Sequence, residues 1–125
     1  MPFQGQQVNL SGPAAAALGR GILVTIDTSG EWAATGAGLA ANGVTLEAAA
    51  AQGDIINVAA LNGAKLEMQA GAAIATAGID LASNASGQAI AATTGQVVVG
   101  FSASAVAAAA EIVDVITSPA GASAP

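Results

Sequence analysis

The sequence predicts an all-β fold, a small barrel or sandwich built from two similar halves, and three observations carry that expectation. Sliding the 125-residue chain against itself by 57 positions, without a gap, brings its halves into register. The apolar residues other than alanine gather in short clusters of Ile, Val and Leu, and β-branched residues at that density favour extended backbone. An Asx residue followed three positions later by glycine, the preference of a type I turn, stands at the same place in both halves. A repeat this long and present only twice is no solenoid, which needs at least three units to bury its faces. It reads instead as one domain, 1–125, with two halves closing about a pseudo-twofold axis. The repeats span about 6–61 and 64–117, with an extended N-terminal arm before them and a tail, 118–125, behind.

The register rests on particular residues. Gly21-Ile22 falls on Gly78-Ile79, Ser29-Gly30 on Ser86-Gly87, Ala34 on Ala91, Gly38 on Gly95, and Gly43 on Gly100. Ala48, Ala50 and Ala51 meet Ala105, Ala107 and Ala108, and Asp54-Ile55-Ile56-Asn57-Val58 lies over Glu111-Ile112-Val113-Asp114-Val115. About a third of the positions from Gly21 to Val58 are identical. Alanine inflates that share, but the coincident glycines and the acidic-apolar-apolar-polar-Val run do not depend on it.

Each half then has the same plan. A short alternating strand opens it, Val8-Asn9-Leu10 in the first half and Leu66-Glu67-Met68 in the second, followed by an Ala/Gly stretch. Ile22 to Ile26 is the next strand, answered by Ile79 to Ala82. The turns Asp27-Thr28-Ser29-Gly30 and Asn84-Ala85-Ser86-Gly87 lead into Glu31 to Thr35 and Gln88 to Ala92, making a hairpin in each half. Gly43 to Leu46 and Val97 to Phe101 are further strands, and Asp54 to Leu61 and Glu111 to Thr117 close the halves. Leu46 to Gln52 and Ala103 to Ala110 are rich in the best helix former, yet shorter than the dozen or so residues an isolated helix needs. Each is expected to be a single turn or a wide alanine loop. The tail, Ser118 to Pro125, is small, uncharged and bounded by proline, and is expected to order only against a neighbour.

Composition excludes more than it assigns. The 54% hydrophobic content is inflated by alanine, which makes up more than a quarter of the chain, while Phe3, Trp32 and Phe101 are its only aromatics. Burial is worth about 25 cal/mol per Å², and alanine offers little area, so the core is expected to be thin and association with other chains to supply stability. With no His and no Cys there is no imidazole base, no thiolate and no Cys/His zinc site. A net charge of −6 with Arg20 and Lys65 as the only cations speaks against nucleic acid and against anionic membrane surfaces. The start, Met1-Pro2-Phe3-Gln4-Gly5-Gln6, has neither a charged nor a long apolar stretch, so no secretory signal is expected. The uncharged run from Leu81 to Ala110 is laced with Ser, Thr, Asn, Gln and Gly, which a spanning helix would find costly.

The candidate chemistry is sparse, and no catalytic group, cofactor or metal is expected. Asp54 and Glu111 hold equivalent positions that a twofold axis could join as an acid/base pair; the plainer reading is that each opens its closing strand. Gly36-Ala37-Gly38 lacks the lysine of a phosphate loop. Asp27, Ser29 and Glu31 alternate as oxygen ligands for calcium would, and equally as a solvent face. Trp32 is either an anchor at a protein interface or a cap on the small core. Arg20 and Lys65 would either pair with acidic groups on a partner or stand solvated.

Against this background the second half shows a resemblance. Gly71-Ala72-Ala73-Ile74, Gly78-Ile79-Asp80-Leu81, Ala85-Ser86-Gly87-Gln88-Ala89, Val97-Val98-Val99-Gly100, an Ala-rich stretch from Ala105, and Glu111-Ile112-Val113-Asp114-Val115 follow one another. That succession is similar to the head decoration, or cement, proteins of tailed bacteriophages, and with the like ending of the first half it covers roughly Gly43 to Thr117. The chain departs from the pattern in its excess of alanine and in Ala110, which stands where the first half has Gly53. The resemblance implies a β-barrel-like domain, made in the host cytoplasm and bound to the outer capsid surface of the virion, with the major capsid protein and further copies of itself, as a homotrimer, for partners. On that footing Met1 to Asn9 and the tail are the candidates for strapping across neighbours, in the manner of strand addition. Phe3, Gln4, Gln6, Arg20, Trp32, Lys65 and Pro119 are then the candidate partner-binding residues. The alternative is a carbohydrate-binding fibre or adhesin module, which one Trp and no Tyr disfavour.

Overall fold

In a computed structural model the described residues, 9–61 and 63–117, form ten strands and no helix. The first half holds β1 (Asn9–Pro13), β2 (Leu23–Ile26), β3 (Trp32–Ala34), β4 (Gly43–Thr45) and β5 (Ile55–Ala60). The second holds β6 (Lys65–Gln69), β7 (Asp80–Ser83), β8 (Ala89–Ala91), β9 (Gly100–Ser102) and β10 (Ile112–Thr117). Their sheets have the same antiparallel order, β1-β5-β4-β2-β3 and β6-β10-β9-β7-β8. In each half a lone parallel bridge, Ala14 to Trp32 or Ala70 to Ala89, joins the two outer strands and curls the sheet toward a closed barrel.

From Gly21 onward the 57-residue register holds strand for strand. The opening strands depart from it. Leu10 pairs with Val58, and Leu66 pairs with Val115, so Leu66 is the counterpart of Leu10, 56 positions on. Val8-Asn9-Leu10 is therefore not the match of Leu66-Glu67-Met68. The second half carries one more residue between Ile74 and Gly78 than the first carries between Leu18 and Gly21, and that extra residue shifts the frame. The valine run is also displaced: the ladder begins at Gly100, while Val97 N–H donates to Gly38 C=O (3.0 Å) and Val99 N–H to Leu81 C=O (2.9 Å). The two alanine stretches are loops, each tied back to its half by paired backbone bonds, Leu18 with Ala49 and Ile74 with Val106.

Alternation along each strand fills the interiors. Val24, Ile56 and Val58 point inward with Ala14 and Trp32 in the first half, and Leu81, Val113 and Val115 with Ala70 and Ala89 in the second. The halves fill this shared plan differently. Where the first has Gly12 beneath Trp32, the second has Met68 beside Ala89, a large and a small residue exchanged. A Cβ placed on Gly12 would lie 2.9 Å from Trp32 Nε1, so the indole occupies the room a side chain would need.

The halves do not meet about a twofold axis. The outer face of the first sheet, Leu23, Val44 and Ala59, is fully buried and belongs to one cluster with the second half's interior. The corresponding face of the second sheet is Asp80, Phe101 and Ile116, of which Asp80 and Phe101 are exposed. A twofold axis would bury both faces alike; the packing is head to tail.

Candidate functional site

The seam between the halves is where unlike surfaces meet, and backbone hydrogen bonds cross it. Gln69 N–H donates to Gly21 C=O (2.8 Å), Leu23 N–H to Gly87 C=O (2.7 Å) and Gly38 N–H to Ser83 C=O (2.8 Å). The Ser83 hydroxyl, fully buried, lies between two acceptors, Asn84 C=O of its own half (2.8 Å) and Thr35 C=O across the seam (3.2 Å). Gly87 is glycine by necessity here: φ is +76°, and a Cβ would stand 2.6 Å from Leu23 C=O.

A cleft of about 210 Å³ opens along the seam, lined by Arg20, Thr45 and Leu46 from one half and Lys65, Leu66 and Glu67 from the other. The chain's two cations thus share one place, but neither reaches it unattended. Arg20 forms an ion pair with Glu67 across the seam, and Lys65 Nζ lies 4.0 Å from Asp114 on the adjacent strand. All four side chains are well exposed, so each pair is worth under about 1 kcal/mol.

Trp32 sits in the first half's core, 3% exposed, with Nε1 lacking a hydrogen-bond partner among the described residues. Of the two roles open to it, the core cap is the one its position serves. The remaining candidates, Phe3, Gln4, Gln6 and Pro119, lie outside the described residues with the arm and the tail.

The carboxylates are largely engaged in local structure. Asp27 Oδ1 accepts from Ser29 and Glu31 N–H, and Asn84 Oδ1 does the same for Ser86 and Gln88, the turn-forming role their spacing predicts. Asp54 Oδ2 accepts from Ala50 and Ala51 N–H, and Glu111 Oε1 from Ala107 N–H. Each braces the alanine loop of its own half. Among the described residues no three carboxylates gather as a metal site would require, and no helix is long and apolar enough to cross a membrane.

One repeated device escaped the sequence. The Thr45 hydroxyl accepts from Ile22 N–H (2.9 Å) and donates to Gly19 C=O (2.8 Å); that of Ser102 accepts from Ile79 N–H (3.0 Å) and donates to Thr76 C=O (3.0 Å). The pairing of a hydroxyl with a hydroxyl in the repeat alignment was its only signal.

No protein-family model matches the chain, and no curated protein does. Among solved structures it is similar to the N base of head fiber gp8.5 from bacteriophage phi29, with a TM-score of 0.76. The match covers 95% of this chain and 100% of that one, at 16% identity. At that identity the likeness is one of fold, and it extends to nearly the whole chain.

Proposed function

We propose that the chain is a structural component of a tailed-phage head, bound to the outer capsid surface as a decoration protein and joining neighbouring major capsid subunits. The observation that carries this is the fold shared with a phage head-fiber base along almost the whole length of both chains. The chemistry of the surface supports it. Asp54 and Glu111, which sequence position offered for catalysis, and Asp27, offered for calcium, are tied to backbone N–H groups, so the reading is of a non-enzymatic protein that acts through contact. The contacts would be apolar burial and added backbone hydrogen bonds, weak singly and strong over many copies. Homotrimers would place equivalent faces on several subunits at once. A second reading, a fibre component, draws on the same likeness. Its carbohydrate-binding form is disfavoured because Trp32 is buried and offers no stacking platform.

The test is binding to shells assembled from the major capsid protein of the same virus, with a glycan array in parallel. Saturable cosedimentation at a fixed ratio of copies to subunits is expected. Failure to bind shells, with recognition of glycans, would transfer the assignment to the second reading.

A further inference from the structure

We propose that copies of this chain associate head to tail through the same kind of contact that joins its own halves, the outer face of one copy's second half lodging against the open face of the next copy's first half. The contact within the chain uses one face from each half. The first half contributes Gly21, Leu23, Gly38 and Val44; the second contributes Leu66, Ser83, Gly87 and Gln96. Because the two halves are alike and the contact is not reciprocal, the chain carries one further copy of each face, and neither is used within it. Around a Cβ placed on Gly21, Gly38 or Gly87 the other half is met at once, whereas around Gly78, Gly95 or Gly30, their counterparts, there is nothing within 4 Å.

The unused faces are also where large apolar side chains stand in water. Leu10 is 42% exposed where its counterpart Leu66 is 4%, and Phe101 is 44% exposed where Val44 is fully buried. Ile26, 45% exposed, stands where Ser83 is buried, and Leu39, 60% exposed, where Gln96 packs on Gly38. Four of the exposed large hydrophobics, Leu10, Ile26 and Leu39 on one unused face and Phe101 on the other, are thus accounted for by a single kind of contact made once at each end, and further copies of this chain carry the counterpart surfaces. A contact of this kind leaves a free face at each end and so continues until a ring closes or a filament grows. Two substitutions between the halves make it weaker than the internal seam. Pro13 stands where Gln69 donates its N–H, and charged Asp80 where Leu23 is buried.

This deepens the trimer of the proposed function and rests on that reading only for the number of copies. The chain has no cysteine, so single cysteines report the contact cleanly. Within the chain, Ala34 Cβ lies 3.4 Å from a Cβ placed on Gly87, at the short edge of the roughly 3.5–4.5 Å that disulfides span. The equivalent pair between copies is Ala91 and Gly30. A mixture of Gly30→Cys and Ala91→Cys chains should yield an oxidised heterodimer, and light scattering on dilution should show Asp80→Leu tightening association by about tenfold. A particle that stays monomeric at every concentration, or an oligomer that forms no mixed disulfide and ignores Asp80→Leu, would overturn the inference. In that second case the faces are covered by something else, such as the arm. Self-association through these faces with no binding to shells would sustain it while removing the proposed function.

Discussion

Gly12 and Trp32 in the first half, and Met68 and Ala89 in the second, fill equivalent interior sites with opposite choices of size. Packing, more than either residue type, is therefore what the position selects. Trp32→Ala is expected to cost about 3–5 kcal/mol in urea denaturation. Adding Gly12→Met, which copies the second half, should recover a clear part of the loss, a coupling that a double-mutant cycle would expose. Gly53 and Ala110 offer a second contrast, with φ of +91° and +73°. A left-handed non-glycine costs about 1–2 kcal/mol, partly offset by the greater freedom of glycine when unfolded. Ala110→Gly should therefore raise thermal stability by up to about 1 kcal/mol, and Gly53→Ala should lower it by a like amount. At this scale the sequence was legible where a role is local. Asp27 and Asn84 bind their own turns, and their spacing says so. Gly12 carries no such local signal, because its role depends on Trp32, which the bridge to Ala14 places against it.

Strands were legible wherever β-branched residues alternate, and β5 and β10 lie within a residue of where the pattern puts them. The opening strands were misaligned by two residues. A gap-free comparison has no means of placing the extra residue between Ile74 and Gly78, since alanine and glycine fill both connectors. The Val97–Val99 run misled for another reason. Propensity called it a strand, but its first N–H is taken by Gly38 of the other half. The hydroxyls of Thr45 and Ser102 fasten β4 and β9 to the connector before β2 and β7. Removing one leaves a buried N–H without its acceptor, so Thr45→Val should cost about 1–3 kcal/mol and weaken hydrogen-exchange protection at Ile22.

For the molecule as a whole, likeness between halves suggested symmetry, and the packing is not symmetric. Likeness of sequence gives both halves the same strand order; it carries no direction of docking. The hint lay in the differences, Leu23 against Asp80 and Val44 against Phe101, which mark one outer face for burial and leave the other wet. Two glycines in the same backbone conformation separate docking from strain. Gly87→Ala, facing Leu23 C=O at 2.6 Å, should destabilise by about 1–3 kcal/mol more than Gly30→Ala, which meets nothing. The sharing of a core across the seam also implies that both halves melt together. In the proposed role, copies bound to a capsid would hold subunits that internal pressure drives apart. Its most direct test is the temperature at which filled heads release their DNA, measured with and without saturating amounts of the chain. The account predicts a rise of several degrees that follows occupancy; heads fully coated yet rupturing at an unchanged temperature would contradict it.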